Sequence, residues 1–296
     1  VLGLIDALSC SPPVARTLIL RPTLPGMRFL PRLFPVLLLA GVTAAPGEPL
    51  GIVAGVYTEF EAPFSPAVRE FAGRPSHPCA STGAHAAVAV PVGFTPDRTW
   101  PVLLVSATSD PGYNSSRRLL RRFMAPALRA GWIVIAADAT SERDEDTNNL
   151  RYALLVAALE RLRLDWPDLP RWPRAFGGFS GGAKRSASLA AMSTILGRRP
   201  IGVFQGGCNE PVMSRIIDLY HPDKAQFLGV PVFLSSGSDD RIAPREQVED
   251  VASDLRGAGF RHVRLERFTG GHELHDDHVE QALRWFVELA PRAAAP

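Results

Sequence analysis

Phe176-Gly177-Gly178-Phe179-Ser180-Gly181-Gly182 reads as a strand end, a sharp turn and a helix start. Within it, Gly178-Phe179-Ser180-Gly181-Gly182 fits G-x-S-x-G, the pattern of a strained strand-to-helix turn built around a serine. A side chain two positions before or after that serine would collide with the neighbouring strand or helix, and glycine has none. The strain holds the Ser180 hydroxyl out where another molecule can reach it. Glycine and serine also fill ordinary turns. The weight of the stretch therefore depends on the elements around it.

Upstream, residues 100–106 and 132–137 are continuous apolar runs, as expected of central strands covered on both faces. Residues 50–60 and 85–94 also carry strand composition. Between them 61–84, rich in Pro, Ser and Gly, reads as a long loop. Helical spacing appears at 116–130, closed by Gly131, and at 149–163. Downstream come a helix at 182–196, strands at 201–205, 230–235 and 263–268, and helices at 246–257 and 278–289. Strands alternating with helices predict an α/β fold, a mostly parallel central sheet with helices on both faces. Function in such sheets gathers at the carboxyl ends of the strands.

The chain has 296 residues, with 32 Lys and Arg against 30 Asp and Glu. That balance gives no overall pull toward nucleic acid. Val1 opens the sequence, and Met27 begins the layout of an export signal. Arg28 and Arg32 make a positive start, 33–42 is a short apolar run with Pro35 inside it, and Thr43-Ala44-Ala45 supplies small residues for cleavage. The run is too short to span a membrane, which takes about 20 residues. The expectation is an upstream leader at 1–26, a signal peptide at 27–44 and one domain over 45–296, secreted or periplasmic, with no membrane span in the mature chain. Cys10 falls in the leader, while Cys79 and Cys208 remain, an even pair in a compartment that permits a disulfide.

A serine hydroxyl needs a base, normally a histidine held by a carboxylate. After Ser180, the strand at 230–235 leads to Asp239 and Asp240, and the next leads to Gly270-Gly271-His272. The order serine, acid, histidine and the strand-end positions suit that chemistry. With these motifs the chain resembles the α/β-hydrolases, closest to small carboxylesterases of the dienelactone hydrolase, phospholipase/carboxylesterase and polyhydroxybutyrate-depolymerase-like groups. The resemblance covers most of 50–290. In those families the acid stands three residues after a glycine and four before a proline. Gly237, Asp240 and Pro244 match, and Gly270 to Glu273 is similar to the histidine turn. The resemblance implies a Ser180–His272–Asp240 triad that cleaves carboxylic esters through an acyl-enzyme, with no cofactor. It also implies an oxyanion hole with one donor at Gly181. The second comes from the loop after the third strand, where the His-Gly of many lipases is replaced by Ser106-Ala107-Thr108, leaving Ser106 or Ala107 as donor.

Other polar residues have competing readings. His272, His275 and His278 are spaced by three, which would suit a metal. A metal would take His272 from the base role, so none is expected, and the other two open the last helix. Glu210 is a rival acid at a strand end, whereas Asp138 precedes Ser180 and reads as a loop anchor or a pocket wall. Arg117, Arg118, Arg121 and Arg122 form a solvated helix face. Phe179, Tyr113 and Asn114 are candidates for the substrate wall.

The resembled fold has an antiparallel second strand, which would bring the 61–84 loop to the active-site end. Cys79 and Cys208 could then meet and pin that loop; the alternative reading is two buried free thiols. Between 205 and 230 there is room for a short helix at 212–220 and little for a lid. The expected cleft is open, walled by the 61–84 and 109–116 loops, and takes a small-molecule or polymer-borne ester. A serine peptidase of the same fold, or an inactive binding protein built on it, are the alternatives.

Overall fold

The computed structural model describes residues 49–74 and 76–290. The leader, the signal peptide and Cys10 lie outside them. Eight strands form one sheet in the order β1-β2-β4-β3-β5-β6-β7-β8. They are β1 (Thr58–Pro63), β2 (Gly83–Ala89), β3 (Val102–Val105), β4 (Ile133–Ala139), β5 (Arg174–Phe179), β6 (Gly202–Gly206), β7 (Val232–Gly237) and β8 (Val263–Phe268). β2 runs antiparallel to both β1 and β4, and every other pairing is parallel. The helices are α1 (Pro66–Ala72), α2 (Ser116–Arg129), α3 (Asn148–Arg163), α4 (Gly181–Ile195), α5 (Val212–Tyr220), α6 (Lys224–Phe227), α7 (Arg245–Gly257) and α8 (Asp276–Leu289).

The apolar runs of the central strands have a direct cause. In β3, Val102 and Leu104 face the core shared with α3, α4, α5 and α7. Leu103 and Val105 face the second core, under α2 and α8. Each such side chain contributes roughly 1.5–3 kcal/mol by leaving water, and neither face tolerates a polar alternation. The helices start and stop as their local chemistry dictates. Ser115 and Thr147 cap α2 and α3 by accepting from the N–H groups of Arg118 and Leu150. Gly131, at φ +76°, supplies the left-handed step that turns the chain from α2 into β4.

Two expectations change. The first strand starts later than 50 and occupies Thr58–Pro63, an edge position where Glu59 and Glu61 alternate with buried Phe60 and Ala62. The 61–84 stretch is not all loop, because Ser65 caps a seven-residue helix that has Pro66 in its first turn. The segment at 207–231 is taken up by α5, α6 and their turns. α5 buries Met213, Ile216 and Ile217 against the core, so its apolar face is not available to form a cap.

Among the described residues, β1 and β8 are the two edges of the sheet. β8 carries Arg264, Glu266 and Arg267. Arg264 Nε donates to Glu266 at 2.7 Å, and Arg267 pairs with Glu249 at 2.5 Å.

Candidate active site

β5 runs into Ser180, which sits at φ 56°, ψ −122°, and α4 begins at the next residue. Only Ser180 and His221 among the described non-glycine residues have positive φ. A non-glycine residue held there costs about 1–3 kcal/mol and needs its surroundings to enforce it. Ser180 N–H donates to Gly206 O at 2.8 Å, while its carbonyl accepts from Ala183 and Lys184. A Cβ on Gly178 would stand 2.1 Å from the Gly182 carbonyl oxygen, and one on Gly182 would stand 2.4 Å from the carbonyl oxygen of Ser106. Two backbones meet here at a distance that no other residue allows. The Ser180 hydroxyl has no hydrogen-bond partner among the described residues and is half-exposed.

The acid and the histidine come from two interlocked turns. Ser238 N–H donates to Phe268 O and Asp239 N–H to Gly270 O, at 2.9 and 2.8 Å. This stitches the turn after β7 to the turn after β8. Asp240 is buried; its Oδ1 accepts from the backbone N–H groups of Ile242 and Ala243, both at 2.8 Å. Its Oδ2 accepts from His272 Nδ1 at 2.7 Å. Asp239 is exposed and takes no part. With Nδ1–H donated to Asp240, Nε2 of a neutral His272 is an acceptor. The imidazole packs on the Phe179 ring, with centroids 4.7 Å apart. Beneath it lies Gly207, at φ +58°, where a Cβ would come within 2.8 Å of His272 Cε1. Phe179, a candidate for the substrate wall or for plain packing, packs on His272 and has Arg122 over its ring at 5.6 Å.

The two residues expected to supply the second oxyanion donor are already engaged. Ser106 N–H donates to Gly177 O at 3.2 Å, and Ala107 N–H to Ser116 Oγ at 3.2 Å. The next residue, Thr108, lies against the helix start: a Cβ on Gly181 would be 2.2 Å from Thr108 Oγ1. Thr108 Oγ1 is turned to Asp110, donating to its carboxylate at 2.7 Å. Among the described residues the N–H groups of Thr108 and Gly181 have no acceptor.

A buried network that sequence reading missed holds this loop. Asp138, at the end of β4, accepts from Ser115 Oγ, Ser116 N–H and Arg117 at the start of α2. It is the loop anchor expected, and a carboxylate suits a helix N-terminus. Arg151 donates to Asp138, to Ser116 Oγ and to the carbonyl of Asn114. Asp146 bridges Arg151 Nε, at 2.6 Å, to Arg185 Nη1, at 2.7 Å, and Arg185 Nη2 reaches Ser109 Oγ at 2.6 Å. Arg185 follows Ser180 by five residues on α4, so one carboxylate ties the helix after Ser180 to the 106–116 loop. Burial pushes the Asp146 carboxyl up, but Arg151 and Arg185 outweigh it and hold it below the ordinary range.

The remaining candidates fall elsewhere. Tyr113 and Asn114 stand exposed on the rim of that loop. Glu210 pairs with Lys184 of α4, and with Arg215 at 3.8 Å, not with His272. His275 stacks on Phe268, while His278 meets the Phe268 ring edge-on and the His275 ring at a tilt. Burial pushes His278 down to about 4. In the arginine row of α2, Arg117 pairs with Asp138 and Glu59, and Arg121 reaches Glu59 and lies over Tyr57.

Of the two readings of the cysteine pair, the structure has the buried free thiols: Cys79 and Cys208 are both free and buried. Cys79 precedes β2 and Cys208 follows β6, four strand spacings apart in the sheet order, or roughly 19 Å. A disulfide needs Cα atoms within about 7 Å. The loop is pinned instead by Asp144, which accepts from Ala80 N–H and from the N–H and hydroxyl of Ser81.

The sheet order, the elbow and the strand-end turns make this the α/β-hydrolase fold, with no long cap among the described residues. Three solved structures share it: a serine hydrolase without a lid from Xanthomonas campestris (18% identical, TM-score 0.51, 82% of this chain and 99% of that one), carboxyl esterase 2 from the mycorrhizal fungus Tuber melanosporum (16%, 0.52, 79% and 87%), and an esterase from Pyrococcus furiosus (15%, 0.50, 78% and 91%). At such identities the likeness is one of fold. In sequence the chain is similar to MhqD of Bacillus subtilis, described only provisionally as a hydrolase, with 31% identity over 111 residues. That match spans 38% of this chain and half of the relative. No family model matches.

Proposed function

We propose that this chain is an exported serine hydrolase of carboxylic esters. The observation that carries the proposal is the Asp240–His272 hydrogen bond at 2.7 Å, with its imidazole packed on the residue that precedes a strained, unpaired Ser180. In this reading Ser180 Oγ attacks the ester carbonyl as His272 Nε2 takes its proton. The N–H groups of Gly181 and Thr108 receive the oxyanion, in a role where one such donor accounts for roughly 10²–10³ in kcat. His272 returns the proton to the departing alcohol, and water then releases the acyl group by the reverse path. Asp240, with both oxygens occupied by donors, fixes the ring and its tautomer.

The fold neighbours, named as esterases and as a serine hydrolase without a lid, support the ester class. The commitment of α5 to the core supports an open cleft, suited to a small ester or one borne on a polymer. Export rests on residues 27–44 alone. No helix among the described residues is long and apolar enough to cross a membrane.

The test is labelling with a fluorophosphonate, read by intact mass, alongside hydrolysis of short-chain nitrophenyl esters. One adduct, lost in Ser180→Ala, is expected. Asp240→Asn should lower kcat by about 10⁴, while Asp239→Asn should be nearly silent. An unlabelled Ser180 in a folded protein with no ester turnover would return the chain to the class of inactive, binding members of the fold.

A further inference from the structure

At the other end of the sheet, a cleft of about 460 Å³ opens between the entry to β5 and the entry to β6. Arg171, Trp172, Arg174, Arg198 and Arg199 line it, and no carboxylate does. One strand length, roughly 20 Å, separates it from Ser180. Arg171 pairs with exposed Asp168, outside the lining. The other three have no carboxylate partner among the described residues. Each holds one backbone carbonyl: Arg174 that of Leu169, Arg198 that of Pro170 and Arg199 that of Gly229. A guanidinium has five N–H donors, so most of theirs remain unused.

Two buried donors there have no acceptor among the described residues: Arg174 Nε and the indole N–H of Trp172, a residue only 3% exposed. Buried polar groups in folded proteins are nearly always satisfied, and an orphan demands a reason. Helix C-termini gather at this end of the fold and favour cations. That accounts for arginines at the surface, but not for a guanidinium sunk beside a second one with no counter-ion.

We propose that this cleft is a binding site for a phosphate or sulfate group, carried by a soluble molecule or by a lipid headgroup. A tetrahedral oxyanion offers acceptors in several directions at once, and guanidinium forks are the groups that best match it. The volume admits more than the bare ion. Burial, with the charge of Arg198 behind it, pushes the Arg174 guanidinium down to about 10. A bound anion would relieve both effects.

The experiment is thermal unfolding of the full chain in inorganic phosphate against chloride at equal ionic strength, with isothermal titration of phosphate. A saturable rise of about 5 °C is expected for phosphate near a hundredfold excess over its Kd. Arg198→Gln and Arg199→Gln, both at the mouth, should each weaken phosphate binding at least tenfold and leave nitrophenyl ester hydrolysis as it was. Arg174→Met should abolish binding; if that variant does not fold, the two mouth variants decide. Co-sedimentation with phosphatidylcholine vesicles, with and without phosphatidic acid, assigns the source. Acid-dependent sedimentation blocked by free phosphate means a headgroup, and phosphate binding without sedimentation means a soluble ligand. Equal melting in phosphate and chloride, or full binding by Arg198→Gln, overturns the site.

Discussion

Replacing Asp146 with alanine leaves two guanidiniums facing each other across the space its carboxylate filled. Arg151 and Arg185 are each only 7% exposed at the side chain. Arg151 keeps Asp138, Ser116 and the Asn114 carbonyl, whereas Arg185 keeps only Ser109 Oγ. One buried charge is therefore left without compensation, a loss of about 3–5 kcal/mol in comparable pairs. Asp146 is 29% exposed, so water can replace part of it, which favours about 3 kcal/mol. For a domain of this size the melting temperature should fall by about 6–12 °C. The 106–116 loop should loosen with it, and a 1 Å displacement of Thr108 N–H would reduce kcat on a nitrophenyl acetate substrate by roughly 100-fold. Adding Arg185→Met to Asp146→Ala removes the orphaned charge and should recover about 1 kcal/mol or more, since apolar replacement of both partners is often close to neutral. Circular dichroism melts and steady-state hydrolysis on the three proteins make the measurement. An Asp146→Ala protein that melts within about 2 °C of wild type and turns over at the same rate refutes the coupling.

Gly178→Ala should yield little folded, active protein, because its Cβ would lie 2.1 Å from the Gly182 carbonyl oxygen and both atoms belong to rigid elements; normal activity in a soluble preparation would contradict the elbow geometry. Burial raises both thiols, Cys208 to about 11. Iodoacetamide at neutral pH should therefore label neither Cys79 nor Cys208 until the protein is denatured, and then both. For His278, a folded value near 4 lies below the unfolded value of about 6.5. The unfolded chain takes up the proton first as pH falls, so stability is full above about 6.5 and is lost progressively toward 4. Urea titrations across that window should show a slope that His278→Gln flattens.

The parallel strands were legible because both faces of the sheet are covered, which leaves each as an unbroken apolar run. β1 was misplaced because 50–57 is as apolar as a strand but lies outside the sheet, while the true edge strand carries glutamates. α1 escaped because seven residues show barely two turns of period. The turns that carry Asp240 and His272 announce themselves through glycines needed for backbone-to-backbone contact, such as Gly237, whose Cβ would meet the Gly271 and Gly270 carbonyls. The second oxyanion donor has no such signature. Which amide stays free depends on Gly177 O and Ser116 Oγ, partners that only the folded chain supplies. Arg185 and Asp146 read as surface charge on a helix and a loop, and nothing short of the tertiary structure buries them together. Compartment and loop placement allow a bond between Cys79 and Cys208, but the width of the sheet keeps them apart.

The charged residues on β1 and β8 bear on what the chain does in crowded company. A sheet edge presents a row of unpaired backbone donors and acceptors, a template on which another strand can grow. β1 offers Glu59 and Glu61 on its solvent face and ends at Pro63, which has no N–H to give. β8 sets Arg264, Glu266 and Arg267 in sequence along its length. An incoming strand would have to strip water from those charges before it gained a single ladder bond. Both flanks therefore resist edge-to-edge aggregation through the cost of dehydrating their charges.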